Sequence, residues 1–264
     1  MKKVLSISVL LMLIFALAAC GEDPATGEAK GYISGSDVAK VYSDPKAYVG
    51  YDIEFIGKAF VVETSEDSLY VQAFQDIKNS DNNTVVVCSV NSGIKVDDYI
   101  NVKGRIVAEI NAENAFGGNL TLPQVNASSV EKISYIEACS PTLKSVDVNM
   151  TKTQYKKYSI TISKVEFAEN ETRVYIKAEN NSSVNFNVYD FNAKIKQGKK
   201  QYSTQDNYDA DYQKLESEVI PGVEAEGIIA FPPIEQKDFT FTIDAYSDDY
   251  NLDFKLFSFT IKVN

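Results

Sequence analysis

The chain has 264 residues, with 37 acidic side chains against 26 lysines and arginines, a formal net charge of -11, and no histidine or tryptophan. So acidic a surface repels nucleic acid and anionic lipid headgroups. The missing histidine removes the side chain best suited to proton shuttling near neutral pH and the commonest metal ligand, which excludes His-dependent triads and His-rich zinc sites.

Lys2 and Lys3 precede an apolar stretch from Val4 to Ala16 that only Ser6 and Ser8 interrupt, and the small residues Ala18 and Ala19 come next. This is the order of an export signal. The stretch is short for a membrane span, which needs about 20 apolar residues, so removal is expected. Leu17-Ala18-Ala19-Cys20 resembles the lipobox of bacterial lipoproteins. The resemblance implies that residues 1–19 are a lipoprotein signal peptide and that the Cys20 thiol receives a diacylglycerol. Cys20 then becomes the mature N-terminus, and the protein is extracytoplasmic, anchored to the cell membrane by its lipid. Two acyl chains hold far more stably than one. The alternative is an ordinary secretory signal that contains a cysteine. Removal of 1–19 takes away Lys2 and Lys3 and no acid, moving the charge from -11 to -13.

Residues 20–31 read as a flexible tether, because GEDPATGEAKG is polar and holds Pro24, Gly27 and Gly31. The eleven residues 21–31 span roughly 18 Å as a random coil. Residues 32–264 are rich in Val, Ile, Tyr, Phe and Thr in short alternating runs, which predicts two β-domains. The expected division is a barrel over 32–138, a linker over 139–152 around Pro141, and a sandwich over 153–264.

In the first domain Ser36 to Val49 predicts a short helix, with Val38, Val41 and Tyr42 on one stripe and Pro45 limiting its length. Strands are expected at 53–62, 69–74, 84–90, 99–110 and 125–133. Glycines at 50, 57 and 104 mark bends, so five strands predict a small closed barrel. YVGYDIEFIGKAFVV, NTVVVCSV and IKVDDYINVKGRIV resemble the OB-fold family, whose members bind oligonucleotides or oligosaccharides across strands two and three.

In the second domain strands are expected at 158–167, 173–178, 191–196, 228–231, 239–245 and 254–263, with turns at 196–199 and Pro221-Gly222. Six or seven such strands make a β-sandwich. In the last of them Phe257, Phe259, Ile261 and Val263 share one face while Phe254 and Leu256 fall out of phase, which calls for a bulge near Leu256 or for burial on both faces. RVYIKAENNSSVNFNVYDFNAKIKQGKKQY and VIPGVEAEGIIAF resemble the telokin-type, immunoglobulin-like domain of Gram-positive surface lipoproteins. The fold class read from the whole chain is therefore all-β: an OB-like five-stranded barrel, then an immunoglobulin-like sandwich, after a signal segment.

Cys88 and Cys139 either form one disulfide in an oxidising exterior or are small buried apolar residues. No Gly-rich phosphate loop, paired-cysteine metal spacing or G-x-S-x-G turn occurs, so no catalytic residue, metal ligand or cofactor is assigned. The acidic runs Asp206–Asp211 and Asp244, Asp248, Asp249, Asp253 read as solvated loops, since Ile220 stands where a calcium loop begun at Asp209 needs its closing glutamate. Tyr189, Tyr202, Tyr208, Tyr212, Tyr246 and Tyr250 accumulate beside Asn and Asp, the chemistry of protein and carbohydrate recognition and also of ordinary strands. Leu69 to Val90 carries only Lys78, against nucleic-acid binding. The expectation is a non-catalytic binding module for a protein or cell-envelope polymer. The alternatives are a carboxylate-based wall hydrolase and an OB-type binder of single-stranded nucleic acid.

Overall fold

A computed structural model describes residues 27–65, 67–113 and 118–263. The signal segment, Cys20 and most of the tether lie outside the described residues. The described chain is nearly all β, with 58% strand and 9% helix, and no helix in it is long and apolar enough to cross a membrane. It divides after Ser134 into two compact units.

The first unit opens with β1 (Tyr32–Ile33) and two 3-10 helices, Gly35–Ser43 and Pro45–Tyr48. The single helix expected over 36–49 is thus broken at Asp44, whose carboxylate accepts from the Ala47 N–H while Pro45 starts the second helix. Then come β2 (Asp52–Ser65), β3 (Ser68–Asp76), β4 (Asp81–Ser89), β5 (Tyr99–Glu113) and β6 (Asn119–Ile133). The order is β1-β2-β3-β4-β6-β5, and β5 also pairs with β2, so β2 to β6 close into a five-stranded barrel. Closure leaves none of these five strands as a sheet edge. The inward phase of every strand fills the barrel, with Phe55, Val71, Val86, Ile100, Val102 and Val125 packed against Val38 and Val41 of the first 3-10 helix. Gly104 sits where β5 bends across β6, and a Cβ there would press on the Asn126 carbonyl oxygen and lie 2.7 Å from the Ala127 Cα.

The second unit begins with α1 (Tyr135–Cys139), followed by β7 (Lys144–Gln154), β8 (Tyr158–Phe167), β9 (Thr172–Asn180) and β10 (Phe186–Gln197). After these come β11 (Lys200–Ser203), β12 (Glu218–Val219), β13 (Glu224–Phe231), β14 (Phe239–Ser247) and β15 (Phe257–Ile261). They form a four-stranded sheet, β13-β9-β8-β7, and a five-stranded sheet, β11-β10-β14-β15 with β12 also on β10. Tyr158, Ile160, Phe167 and Val174 of the first sheet and Phe186, Phe241, Phe257 and Phe259 of the second share one core, which makes the unit a sandwich.

In the second unit the structure corrects two further expectations. Residues 139–152 are not a linker: α1 and the turn after it run into β7, which pairs along β8. Val146, Val148 and Met150 do alternate, but β7 is an edge strand that only half-buries them, and Lys144, Lys152 and Gln154 continue the same phase as polar residues. Nor does the last strand include 254–256. It starts at Phe257, so Leu256 stays exposed and Phe254 packs from a loop against Tyr158 and Phe186.

Residues 204–217 form a strap over β13. The Ile228 N–H donates to the Gln213 carbonyl at 2.9 Å, and Gln205 N–H to the Ala230 carbonyl at 2.8 Å. Leu215 is buried against Gly227, where a Cβ would collide with the Leu215 nitrogen and lie 2.6 Å from its Cα. Gly227→Ala is therefore expected to lift the strap and cost about 1–3 kcal/mol. Limited proteolysis checks this: cleavage within 204–217 should quicken, and an unchanged rate would show that the strap slides instead.

Candidate functional site

The second unit holds a buried ionic cluster. Arg173 is out of phase with Val174 and Ile176, so it points away from the core, yet it is fully buried beneath Ser140, Thr142 and the strap. Its guanidinium donates to Glu171 at 2.7 Å, Glu166 at 3.2 Å, the Ser140 carbonyl at 2.9 Å and hydroxyl at 2.8 Å, and Thr142 Oγ1 at 2.7 Å. Glu166 also accepts from Lys164 and Tyr175, and Glu171 from Asn207 and Tyr212.

Burial alone would raise the Glu171 carboxyl, but hydrogen bonds from Tyr212, Arg173, Ser140 and Asn207 together hold it below its ordinary range. Glu166 is held down against burial by Lys164, Tyr175 and Arg173 in the same way. Burial and Glu166 push the Tyr175 phenol up to about 12. Both carboxylates are thus kept ionised and fully engaged, whereas a glycosidase acid must be raised to hold its proton. The cluster is a clamp joining the entry segment, the β8–β9 hairpin and the strap.

Because both carboxyls are lowered in the folded unit, the stability they supply is complete above the ordinary glutamate range and is lost as pH falls through their folded values. Urea midpoints measured from about pH 6 down to about pH 3 are expected to fall more steeply for the wild type than for Glu171→Gln. Parallel curves would remove Glu171 from that account.

On the opposite sheet, β10 and β14 turn Asn187, Tyr189, Asp244 and Tyr246 outward, with Tyr189 directly across from Asp244 and Asn187 across from Tyr246. Phe191 joins them through the same period of two. It is 62% exposed and Tyr246 41%, large values for aromatic side chains on a sheet. The Tyr189 ring centroid lies 5.3 Å from that of Phe191 and 5.2 Å from that of Tyr246. The Tyr189 hydroxyl donates to that of Tyr246, which fixes both rings and raises the Tyr189 phenol to about 12. Asp248 borders the rings and accepts from Asn187 at 2.9 Å.

Of the six tyrosines singled out in the sequence, only Tyr189 and Tyr246 meet on this face. Tyr202 packs on the core, Tyr212 belongs to the clamp, and Tyr208 and Tyr250 stand exposed in loops. Phe191 opens the strand expected at 191–196, but Asn187 and Tyr189 fall outside that expectation, since β10 begins at Phe186.

In the barrel, Phe60 and Phe74 stack with centroids 3.9 Å apart beside Gln72 and Asn83. Asn83 Oδ1 is the one buried side-chain polar atom among the described residues that has no partner. Cys88 and Cys139 lie in different units and no disulfide joins them. Cys88 is buried, lies 3.7 Å from Ser92 Oγ, and its thiol is pushed up by burial. Among the described residues no group of three or more Cys, Asp or Glu side chains is placed to hold a metal ion. No protein-family model matches the chain, and no curated protein matches it in sequence.

Proposed function

We propose that this chain is an extracytoplasmic lipoprotein, anchored through Cys20, that binds a protein or cell-envelope polymer without catalysing a reaction. The observation that carries the reading is the exposed Tyr189–Phe191–Tyr246 triad on the outer face of the sandwich. Rings held rigid on a sheet lose little entropy when a ligand covers them, and neighbouring carboxylates and amides supply polar contacts. The barrel order supports an OB-type first unit, because its strands run 1-2-3-5-4 around the closure with the third and fifth parallel. The two-sheet second unit supports the immunoglobulin-like reading, with aromatic packing in place of an inter-sheet disulfide.

The test is capture of envelope material from the native cell by the wild-type chain and by the Phe191→Ser, Tyr246→Ser double variant. The wild type is expected to retain a component that the variant loses; equal capture by both would end the assignment to this face. The anchor is checked separately by the mass of the mature N-terminal peptide. It should carry a diacylglycerol-sized addition that Cys20→Ala lacks, and an unmodified Cys20 would place the protein elsewhere.

A further inference from the structure

We infer that the outer face of the five-stranded sheet binds an extended, uncharged polysaccharide; this rests on the reading of the Tyr189–Phe191–Tyr246 face as a recognition surface and names its ligand class. The rings offer three adjacent apolar surfaces, and the tyrosine hydroxyls are turned toward each other, leaving the faces as the contact. Asp244 and Asp248 lie among them with Asn187. The same face continues along the sheet as hydroxyls, with Thr242 opposite Ser258 and Thr240 opposite Thr260, and as Lys194 and Lys196 beyond the β10 bulge.

A ligand must match both the rings and the carboxylates. At the triad, phosphate or sulfate polymers meet Asp244 and Asp248 as like charges, while Lys194 and Lys196 lie beyond the β10 bulge. A protein partner would have to desolvate Asp244 at the centre of its contact, where interfaces are depleted of charge. A sugar chain supplies both complements, since its ring C–H faces lie on aromatic rings while its hydroxyls donate to carboxylate and amide oxygens. A row of hydroxyls leading away from the triad across β14 and β15 suits a chain that runs on past one ring, so the ligand is extended rather than a single sugar.

The full mature chain in detergent is titrated calorimetrically with the hexamer of β-1,4-linked N-acetylglucosamine, with a soluble neutral β-glucan, and with heparin as the polyanion. At least one neutral probe is expected to bind saturably, with roughly tenfold weaker affinity in Phe191→Ser and in Tyr246→Ser. Phe191→Tyr should keep the affinity, and unchanged urea midpoints verify that the variants fold. The inference is overturned if neither neutral probe binds, if both serine variants bind like wild type, or if heparin binds in their place. Capture of envelope material that depends on Phe191 and Tyr246, together with no binding of either neutral probe, removes the polysaccharide class and leaves the recognition face. Capture indifferent to both residues removes the face itself.

Discussion

Arg173→Leu is expected to destabilise the second unit by about 3–5 kcal/mol, the cost of leaving buried carboxylates without their cation. Glu171 and Glu166 are almost fully buried, and Arg173 is the group both share. Leucine fills much of the volume but provides none of the donors that reach Glu166, Glu171, Ser140 and Thr142. Arg173→Lys should recover little, because an ammonium on a flexible stem does not reproduce a planar fork of five donors. Urea unfolding of the full chain reads the change as a lower midpoint for the sandwich, while the barrel, which has its own core, keeps its transition. A loss under about 1 kcal/mol would mean that the carboxylates turn out into water.

Phe241→Ala is expected to cost the same unit about 3–5 kcal/mol through the cavity it leaves. Phe241 is fully buried at the centre of the sandwich, its ring centroid 6.0 Å from that of Phe231 and 6.2 Å from that of Phe259. Strands on both sides are tied into their ladders and have little room to collapse. Phe191→Ala is the internal comparison: an exposed ring two strand positions from Tyr189, its removal should move the midpoint by less than about 0.5 kcal/mol. If the two variants behaved alike, the division between packing aromatics and surface aromatics would fail.

That division was only half legible in the sequence. Alternation located Tyr158–Phe167, most of β9 and β14 and half of β13, because inward Val, Ile and Phe recur every second residue against polar neighbours. It missed β7, an edge strand with a shifted register, and it carried β15 too far toward Phe254, which reaches the core from a loop. The glycines at the barrel's bends were legible because only a residue without a side chain passes a neighbouring backbone so closely, as at Gly104.

The clamp was not legible at all. Its members stand at 140, 142, 166, 171, 173, 207 and 212, and no local pattern links an arginine in β9 to a loop some 35 residues later. The acidic run at 206–211 read as a solvated loop, and Asp206, Asp209 and Asp211 are indeed exposed, but Asn207 and Tyr212 around them fasten it to Glu171. Charge and spacing alone do not say which residues of such a run turn inward.

The strap also bears on how copies of this protein behave when concentrated. An uncovered outer strand is a template on which a second chain adds its own, the more readily the more concentrated the protein. On the four-stranded sheet, β13 has its Ile228 N–H and Ala230 carbonyl already taken by Gln213 and Gln205, so the strap acts as a built-in stopper at that margin. At the other margin β7 is irregular instead, with Asn149 at a positive φ of 46° and lysines at 144 and 152. Cutting the strap would thus open β13 to intermolecular strand exchange.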